Sequence, residues 1–339
     1  MKSKGLFGIL PESQVGKTST RFNRLMIIIS IVLAALFLYL ALRNLDWQIF
    51  FTTIKNAQYA YLPIVFLWSS TSFLIRAFRL RVLLVNEKPL PISNVFWANM
   101  AGYLGNNILP ARAGELVRAT YLASKNNISV PFALAVGLVE RLVDLIALII
   151  LGSLALSSTK IISPAFQSAL KGISIIGLIG LAAVFVLPHF SKLVEHSIMS
   201  IPKLKEVHKL KLNDFLQKFL NGLTSLHSFK RLALFTILTT LIWLTDAFGT
   251  VILSYILNIP LLFQQAFVLI AALGLSSAIP STPGYVGVYQ FVAVTTLAPF
   301  GISQPDALAL ILITQILGYL VIGFWGLASL WQFNKYMQS

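Results

Sequence analysis

The chain contains no cysteine among its 339 residues, which excludes disulfide bonds, thiolate metal ligands and cysteine nucleophiles. Charge is also scarce. Charged residues make up 11% of the sequence, whereas a soluble domain carries about 25%. Hydrophobic residues account for 57%, which is too many for an ordinary soluble protein. The composition therefore predicts an all-α, polytopic membrane protein.

Acidic residues are the rarer charged class, with 11 Asp and Glu against 26 Lys and Arg, for a formal net charge of +15. A basic excess can indicate nucleic-acid binding, but the sequence offers no basic, aromatic-rich domain outside the membrane for that purpose. In membrane proteins, Lys and Arg concentrate on cytoplasmic segments that face anionic lipid headgroups. We therefore predict no nucleic-acid partner and use the basic residues to predict topology.

Signatures of catalysis are also scarce. The four histidines (His189, His196, His208 and His227) all lie in one predicted cytoplasmic segment, without metal-binding spacing inside the membrane. The sequence contains no Gly-x-Ser-x-Gly motif, no Ser/His/acid set and no nucleotide-binding loop. We expect no metal, no cofactor and no enzymatic activity.

Six apolar runs are predicted to cross the bilayer, at 25–42, 60–82, 130–156, 172–188, 232–257 and 306–331. The first run follows a basic N-terminus but is long and lacks a small-x-small cleavage site, so we expect it to be retained. Four of the 26 basic residues fall on predicted outer loops (Arg43, Lys55, Lys160 and Lys171). The positive-inside rule then predicts a multi-pass protein of the plasma or inner membrane with both termini cytoplasmic. The predicted membrane domain is 25–331, between a basic N-terminus (1–24) and a short tail (332–339).

One motif occurs twice, in residues 105–118 and 276–290. Pro110 lies four residues before Gly114, and Pro280 lies four residues before Gly284, each time between two apolar runs. Proline does not sustain a helix and glycine permits a sharp backbone reversal. Helices broken at corresponding positions of two halves are typical of the central site of a transporter.

The predicted path makes the two halves an inverted-topology repeat. Repeat one (60–156) and repeat two (232–331) each contain a re-entrant hairpin, and the two hairpins enter from opposite sides. A cytoplasmic segment (189–231) joins the repeats. Within it, residues 203–227 have apolar side chains at helical spacing among lysines. This pattern indicates an amphipathic helix on the inner leaflet that recognises anionic lipid, or a solvated connector.

Charged residues inside an apolar segment are costly and are candidates for function. Glu140 and Asp144 share one face of the predicted helix 130–156, and Arg141 lies beside them. Two acids and one base need a second cation, for which the chain offers Arg76, Arg79, Arg112 and Arg118. This cluster is interpreted either as the lining of a polar, headgroup-binding cavity or as an ion cluster that only holds helices together.

The first motif also predicts a phosphate site. Arg112, Glu115 and Arg118 follow at three-residue steps, and arginine binds phosphate with two parallel hydrogen bonds. A short helix beginning near Gly114 would add the positive end of its dipole. Arg76 and Arg79 share a helix face and would complete the site. Anchoring at the membrane interface is the alternative for Arg118 and for that pair.

The second motif is polar but uncharged. Ser281, Thr282, Tyr285, Tyr289 and Gln290 supply hydroxyls and an amide there. Asp246 is the acid in the core of the second repeat, with Trp243 on the same helix face. We interpret Asp246 as a proton carrier or as the partner of an arginine from the first repeat.

Three stretches, 107–118, 140–144 and 279–288, together resemble the lysylphosphatidylglycerol synthase transmembrane-region family. The resemblance extends over roughly residues 25–331 and implies a lipid-translocating domain whose two hairpins form a central cavity. Members with a synthase domain carry a soluble transferase after the membrane region. This chain stops at Ser339, so lysyl transfer is not expected from it.

The second motif departs from the family pattern, which commonly reads Pro-Gly-Gly and ends in an acid. This chain has Tyr285 and Gln290 at those places. No acidic role is therefore carried over to this hairpin, and the substrate preference need not be the same.

Together these observations predict a flippase or transporter for a lipid with an anionic phosphate headgroup, such as a modified phosphatidylglycerol or a polyprenyl-phosphate-linked sugar. Without an ATP-binding motif, movement would be downhill, ion-coupled or passive. The alternatives are a membrane-embedded enzyme and a non-catalytic partner of a separately encoded synthase or glycosyltransferase. The predicted substrate-binding residues are Arg76, Arg79, Pro110, Arg112, Gly114, Glu115, Arg118, Ser281, Thr282, Gly284, Tyr285 and Gln290. The predicted buried charge network is Glu140, Arg141, Asp144 and Asp246.

Overall fold

A computed structural model describes most of the chain, and the described part is helical. The described residues are 20–85, 88–109, 113–126, 128–159, 175, 177, 179, 180, 182–184, 186–200, 206–277 and 283–338. Within these ranges there is no β-strand. The prediction of an all-α membrane protein is confirmed.

The helices follow the apolar runs of the sequence. The first six are α1 (Thr20–Leu42), α2 (Trp47–Lys55), α3 (Leu62–Leu84), α4 (Ile92–Ile108), α5 (Gly114–Asn126) and α6 (Val130–Ser157). The next six in the described part are α7 (Ser191–Met199), α8 (Glu206–Thr224), α9 (Phe229–Ile256), α10 (Phe263–Ser276), α11 (Val288–Leu297) and α12 (Gln304–Gln338). Short 3-10 turns lie at Tyr59–Tyr61, Leu187–Phe190, Ser225–His227, Pro283–Tyr285 and Ala298–Phe300.

Three helical stretches of the described part are long and apolar enough to cross a membrane: Tyr59–Leu84, Phe229–Ile256 and Gln304–Lys335. A fourth span results if Ile31–Leu42 and Trp47–Lys55, which meet at 90°, form one broken span. Helix α6 has 28 residues, but any 18-residue stretch of it contains three charged residues. Seven of the 17 residues of the predicted helix 172–188 lie outside the described residues. The total of six spans stays a prediction.

Both motif regions are broken helices, as predicted. Helix α4 ends at Ile108 and α5 begins at Gly114; α10 ends at Ser276 and α11 begins at Val288. At 1.5 Å per residue, the 17 residues of α4 and the 14 of α10 extend about 26 and 21 Å, less than a hydrocarbon core of about 30 Å. The re-entrant course of these pairs and the inverted repeat stay predictions.

Helix α2 was not predicted from the sequence. Asp46 begins it as an N-cap, accepting hydrogen bonds from the backbone N–H groups of Gln48 and Ile49 at 3.0 Å each. The chain turns at Asn44, whose φ of 64° allows the reversal after α1. A single N-cap acid before a short aromatic run is the sequence signal for this element.

The two halves of the chain pack against each other and do not form separate bodies. Helix α3 contacts α9, α4 contacts both α5 and α12, and α6 contacts α10. Helix α8 confirms the helix predicted within residues 203–227. Its second half docks on α6, where Leu220 and Leu223 are buried, while Val207 and Leu210 near its start are exposed.

Candidate functional site

A cavity of about 370 Å³ lies between the two halves. Helices α3, α4 and α6 of the first half and α9, α10, α11 and α12 of the second contribute to its walls, together with the turn at Pro283–Tyr285. Its lining is mixed, with polar and charged side chains among apolar ones. The polar lining residues include Ser72, Arg76, Tyr103, Asn106, Arg141, Trp243, Asp246, Thr250, Tyr285, Tyr289, Gln315 and Tyr319.

An ion pair between the halves forms one wall of the cavity. Arg76 of α3 donates to Asp246 Oδ2 of α9, and Ser72 Oγ donates to Asp246 Oδ1 at 2.6 Å. The Arg76 guanidinium also lies over the Trp243 ring, 5.2 Å from its centroid. Both side chains of the pair retain some exposure, 13% for Arg76 and 24% for Asp246. The pair is therefore neutralised but accessible.

Two other lining residues carry unsatisfied polar atoms. Trp243 Nε1 and Asn106 Oδ1 are buried and have no hydrogen-bond partner among the described residues. A buried polar group without a partner costs about 1–3 kcal/mol. One atom is a donor and the other an acceptor, and neither presents accessible surface to the cavity.

Another part of the lining, contributed by the Pro283–Tyr285 turn, α11 and α12, is aromatic and amide-rich. Tyr285 and Tyr289 stack in parallel, with ring centroids 4.7 Å apart and an interplanar angle of 7°. Gly284 has a φ of 70°, in the left-handed region, and its carbonyl oxygen accepts from Tyr319 Oη at 2.7 Å and from Gln315 Nε2 at 2.9 Å. These bonds anchor the turn to α12 and place the tyrosines at the cavity.

Gln290 stabilises this turn and is not one of the lining residues. Its Oε1 accepts the backbone N–H of Gly287 at 2.7 Å, and its Nε2 donates to Gln315 Oε1. The side chain is buried, with 2% exposure for the residue. An amide both accepts and donates, which a carboxylate cannot do. Glutamine at the place where the resembling family commonly has an acid therefore has a structural reason here.

Behind the cavity lies an ionic chain of six residues with alternating charges: Asp144, Arg79, Glu140, Arg118, Glu115 and Arg141. Arg79 bonds Glu140 Oε1 at 2.9 Å and also pairs with Asp144, and Arg118 bonds Glu140 Oε2 at 2.7 Å. Three cations offset three anions, so the chain is neutral as a whole. Its last member, Arg141, reaches the cavity wall.

The local sequence of α6 builds this arrangement. Ser129 caps the helix by accepting the N–H of Phe132 at 3.3 Å, and the i, i+4 spacing puts Glu140 and Asp144 on one face toward Arg79. Gly137, one turn before Glu140, leaves the space that the Arg118 guanidinium occupies, because a Cβ there would collide with Arg118 Nη2. The absence of a side chain at residue 137 thus lets Arg118 reach Glu140.

The predicted substrate residues are distributed over three environments. Three of them, Arg76, Gly284 and Tyr285, line the cavity, together with Arg141 and Asp246 of the predicted charge network. Arg79, Arg118, Glu115, Glu140 and Asp144 belong to the ionic chain, and Gly114 begins α5 in close contact with α4. Arg118 is 3% exposed, and its guanidinium is paired with Glu115 and Glu140 inside the protein. Pro110, Arg112, Ser281 and Thr282 lie outside the described residues.

Several lining residues were missed from the sequence: Ser72, Tyr103, Asn106, Gln315 and Tyr319. Each is uncharged and lies within a helix, so the search for rare charged residues in apolar segments did not identify it. Helical spacing could have found Ser72, because it precedes the predicted site residue Arg76 by one turn. Within the described residues, no three side chains of His, Asp or Glu group as a metal site requires.

The comparison with protein families agrees with this architecture. Residues 27–326 match the family described as lysylphosphatidylglycerol synthase TM region. The chain belongs to this family. The resemblance drawn from the three motif stretches is thereby confirmed.

This chain is also similar to the UPF0104 membrane protein MJ1078 of Methanocaldococcus jannaschii. The two are 26% identical over 223 residues, which is 65% of this chain and 90% of the relative. No solved structure matches the chain. Family membership shows a membrane domain of a family often linked to lipid-related processes.

Proposed function

We propose that this protein moves a lipid with an anionic phosphate headgroup between the two leaflets, without chemical change to the lipid. The observation that carries the proposal is the polar cavity between the halves, with Arg76 and Arg141 in its wall. A polar headgroup needs such a compartment, because crossing bare hydrocarbon leaves its charge unsolvated.

A phosphate would bind in this cavity by exchange. The two arginines of the lining are already paired, Arg76 with Asp246 and Arg141 with Glu115. A phosphodiester oxygen can take the place of the Asp246 carboxylate at Arg76, because both accept charge-assisted hydrogen bonds from a guanidinium. Ser72, which donates to Asp246 at 2.6 Å, would offer a further donor.

Movement is favoured over chemistry by the way the carboxylates are held. Asp246 accepts from both Arg76 and Ser72, and Glu140 accepts from both Arg79 and Arg118. A general base needs a carboxylate that can reach and take a substrate proton. These acids are instead held in ion pairs. We further propose that a separately encoded synthase or glycosyltransferase supplies the lipid.

The test is headgroup accessibility in liposomes that contain the purified protein. Fluorescent phosphatidylglycerol and a fluorescent polyprenyl-phosphate sugar serve as separate probes. The double substitution Arg76→Gln with Asp246→Asn removes the cation while leaving no unpaired charge. We expect wild-type protein to expose at least one probe to an external quencher, and the double variant to slow this by about tenfold or more, as for the loss of one charged hydrogen bond.

Arg43→Gln is the matched control, because Arg43 is an exposed arginine at the end of α1, away from the cavity. It should behave as wild type. Folded protein that leaves both probes as inaccessible as in empty liposomes would contradict the proposal. Equal rates for the double variant and wild type would remove Arg76 from the headgroup site.

A further inference from the structure

We propose that helices α7 and α8 form a surface that binds the headgroups of an anionic membrane. This surface is separate from the cavity, and the proposal does not rest on the function proposed above. It decides between the two interpretations of residues 203–227, an amphipathic helix on the membrane and a solvated connector. Two observations carry it: apolar side chains that are exposed on both helices, and an excess of basic residues beside them.

Helices α7 and α8 form an antiparallel hairpin. At the start of α7, the carbonyl oxygen of Ser191 accepts from Gln217 Nε2 at 3.4 Å. At the end of α7, the carbonyl oxygen of Met199 accepts from Lys209 Nζ at 2.7 Å. Later residues of α7 thus meet earlier residues of α8. Because the two helices lie side by side, one surface of the hairpin can include residues of both.

The base of this hairpin is fixed to helices that are long and apolar enough to cross a membrane. His189, just before α7, stacks on His227, just before α9, with ring centroids 5.6 Å apart. Ser225 Oγ, just after α8, donates to the carbonyl oxygen of Leu83 at the end of α3, at 3.1 Å. Since α3 and α9 lie in candidate spans, the hairpin begins at the level where a span leaves the hydrocarbon and meets the headgroups.

Apolar side chains are exposed along the hairpin. Phe190 and Leu193 at the start of α7, and Val207 and Leu210 at the start of α8, are between 48% and 61% exposed. The members of each pair are three positions apart and share a helix face. A hairpin that projected into water would leave these side chains hydrated, at a cost that grows with their area. A hairpin that lies on the bilayer buries them at the boundary between headgroups and acyl chains.

Basic residues accompany these apolar side chains. The segment 189–231 contains eight Lys and Arg against three Asp and Glu, which gives a net charge of +5. Lys192 and Lys211 are exposed, and they directly neighbour Leu193 and Leu210 in sequence. A lysine can lay its methylene stem along apolar surface and extend its ammonium to a phosphate. Charge complementarity therefore selects an anionic bilayer, because its surface attracts clustered lysines.

The test uses the full chain in liposomes, where an introduced cysteine is labelled alone because the natural chain contains none. Leu210→Cys carries an environment-sensitive nitrobenzoxadiazole label, and the phosphatidylcholine vesicles, with or without phosphatidylglycerol, contain a nitroxide-bearing lipid. We expect the nitroxide to quench the label strongly in vesicles with phosphatidylglycerol and weakly in those without it. His208→Cys is the matched control. It is exposed on the same helix but lies about 200° around it from residue 210, so its label should be quenched weakly in both.

Adding Lys192→Gln and Lys211→Gln to the labelled protein tests the role of charge. Each lost lysine should lower the ratio of membrane-bound to free hairpin by about fivefold in vesicles with phosphatidylglycerol. Lys55→Gln, which changes an exposed lysine on α2, is the control and should leave the quenching unchanged.

Several results would overturn the proposal. Equally weak quenching at residues 208 and 210 would place the hairpin in water. Equal quenching at residue 210 with and without phosphatidylglycerol, or no effect of the lysine substitutions, would remove the recognition of anionic lipid. A label at residue 210 that neither the lipid nitroxide nor aqueous iodide reaches would show that protein, and not lipid, covers this surface. None of these results bears on lipid movement through the cavity.

Discussion

Arg79 shows how much one side chain contributes in this molecule. It is 1% exposed, yet its guanidinium holds two carboxylates of α6, Glu140 and Asp144, and lies over the Phe235 ring at 5.5 Å. A buried ion pair adds little net stability compared with an apolar replacement of both partners, but removing one partner leaves an uncompensated charge. Arg79 therefore offsets the free-energy cost of burying the carboxylates of Glu140 and Asp144.

Replacing Arg79 with Met should lower the free energy of unfolding by about 3–5 kcal/mol, because Glu140 and Asp144 lose a common cation. The measurement is thermal unfolding of the purified protein in detergent. Arg81→Met, on the same helix and half-buried, is the control and should change the melting temperature little. An Arg79→Met protein as stable as wild type would show that the ionic chain does not hold α3 to α6.

At the scale of an element, the turn between α10 and α11 depends on backbone conformations that most residues avoid. Gly284, Tyr285 and Gly287 all have positive φ, at 70°, 60° and 87°. A non-glycine residue in the left-handed region costs roughly 1–2 kcal/mol. The bonds from Gln290, Gln315 and Tyr319 stabilise this turn, which explains why an uncharged amide serves at residue 290.

Gly284→Ala should destabilise the protein more than Gly301→Ala, although both glycines have positive φ. A Cβ at residue 284 meets the Tyr319 hydroxyl, whereas at residue 301 nothing lies within 4 Å. We expect Gly301→Ala to cost only the backbone strain of about 1–2 kcal/mol. Adding Tyr319→Phe to Gly284→Ala should recover part of the difference. Thermal unfolding of the four proteins measures this, and equal losses for the two glycine variants would refute it.

At the scale of the whole molecule, the cavity exists because the halves pack together. Helix α3 meets α9 and α4 meets α12, so residues of both halves face one space. The orientation of this assembly in the membrane follows from the basic residues and stays a prediction. It determines which side of the membrane each end of the cavity faces.

Single cysteines test the orientation without background, because the natural chain contains none. Gln48→Cys and Ser158→Cys, both at exposed residues, should react with an impermeant maleimide added outside intact cells. His208→Cys, exposed on α8, should react only after permeabilisation. Labelling at 208 in intact cells would reverse the predicted topology.

Local pattern was enough to predict the helices that contain the site. The predicted helices 60–82, 130–156 and 232–257 appear as α3, α6 and α9 with shifts of three residues or fewer at each end. The two breaks also follow from local chemistry, since proline and glycine act within a few residues. The predicted need for a second cation beside Glu140 and Asp144 came from counting charges in one helix.

Tertiary structure decided which partners meet. Four arginines were available for Glu140 and Asp144, and a helical sequence does not show which of them lies across from α6. Packing of α3 and α5 against α6 places Arg79 and Arg118 there, and packing of α3 against α9 gives Arg76 to Asp246. The uncharged lining residues, such as Gln315 and Tyr319, can likewise be identified only in the folded structure, where α12 closes the cavity. Local preferences act along the chain, whereas ion pairing and cavity formation depend on distances between residues far apart in sequence.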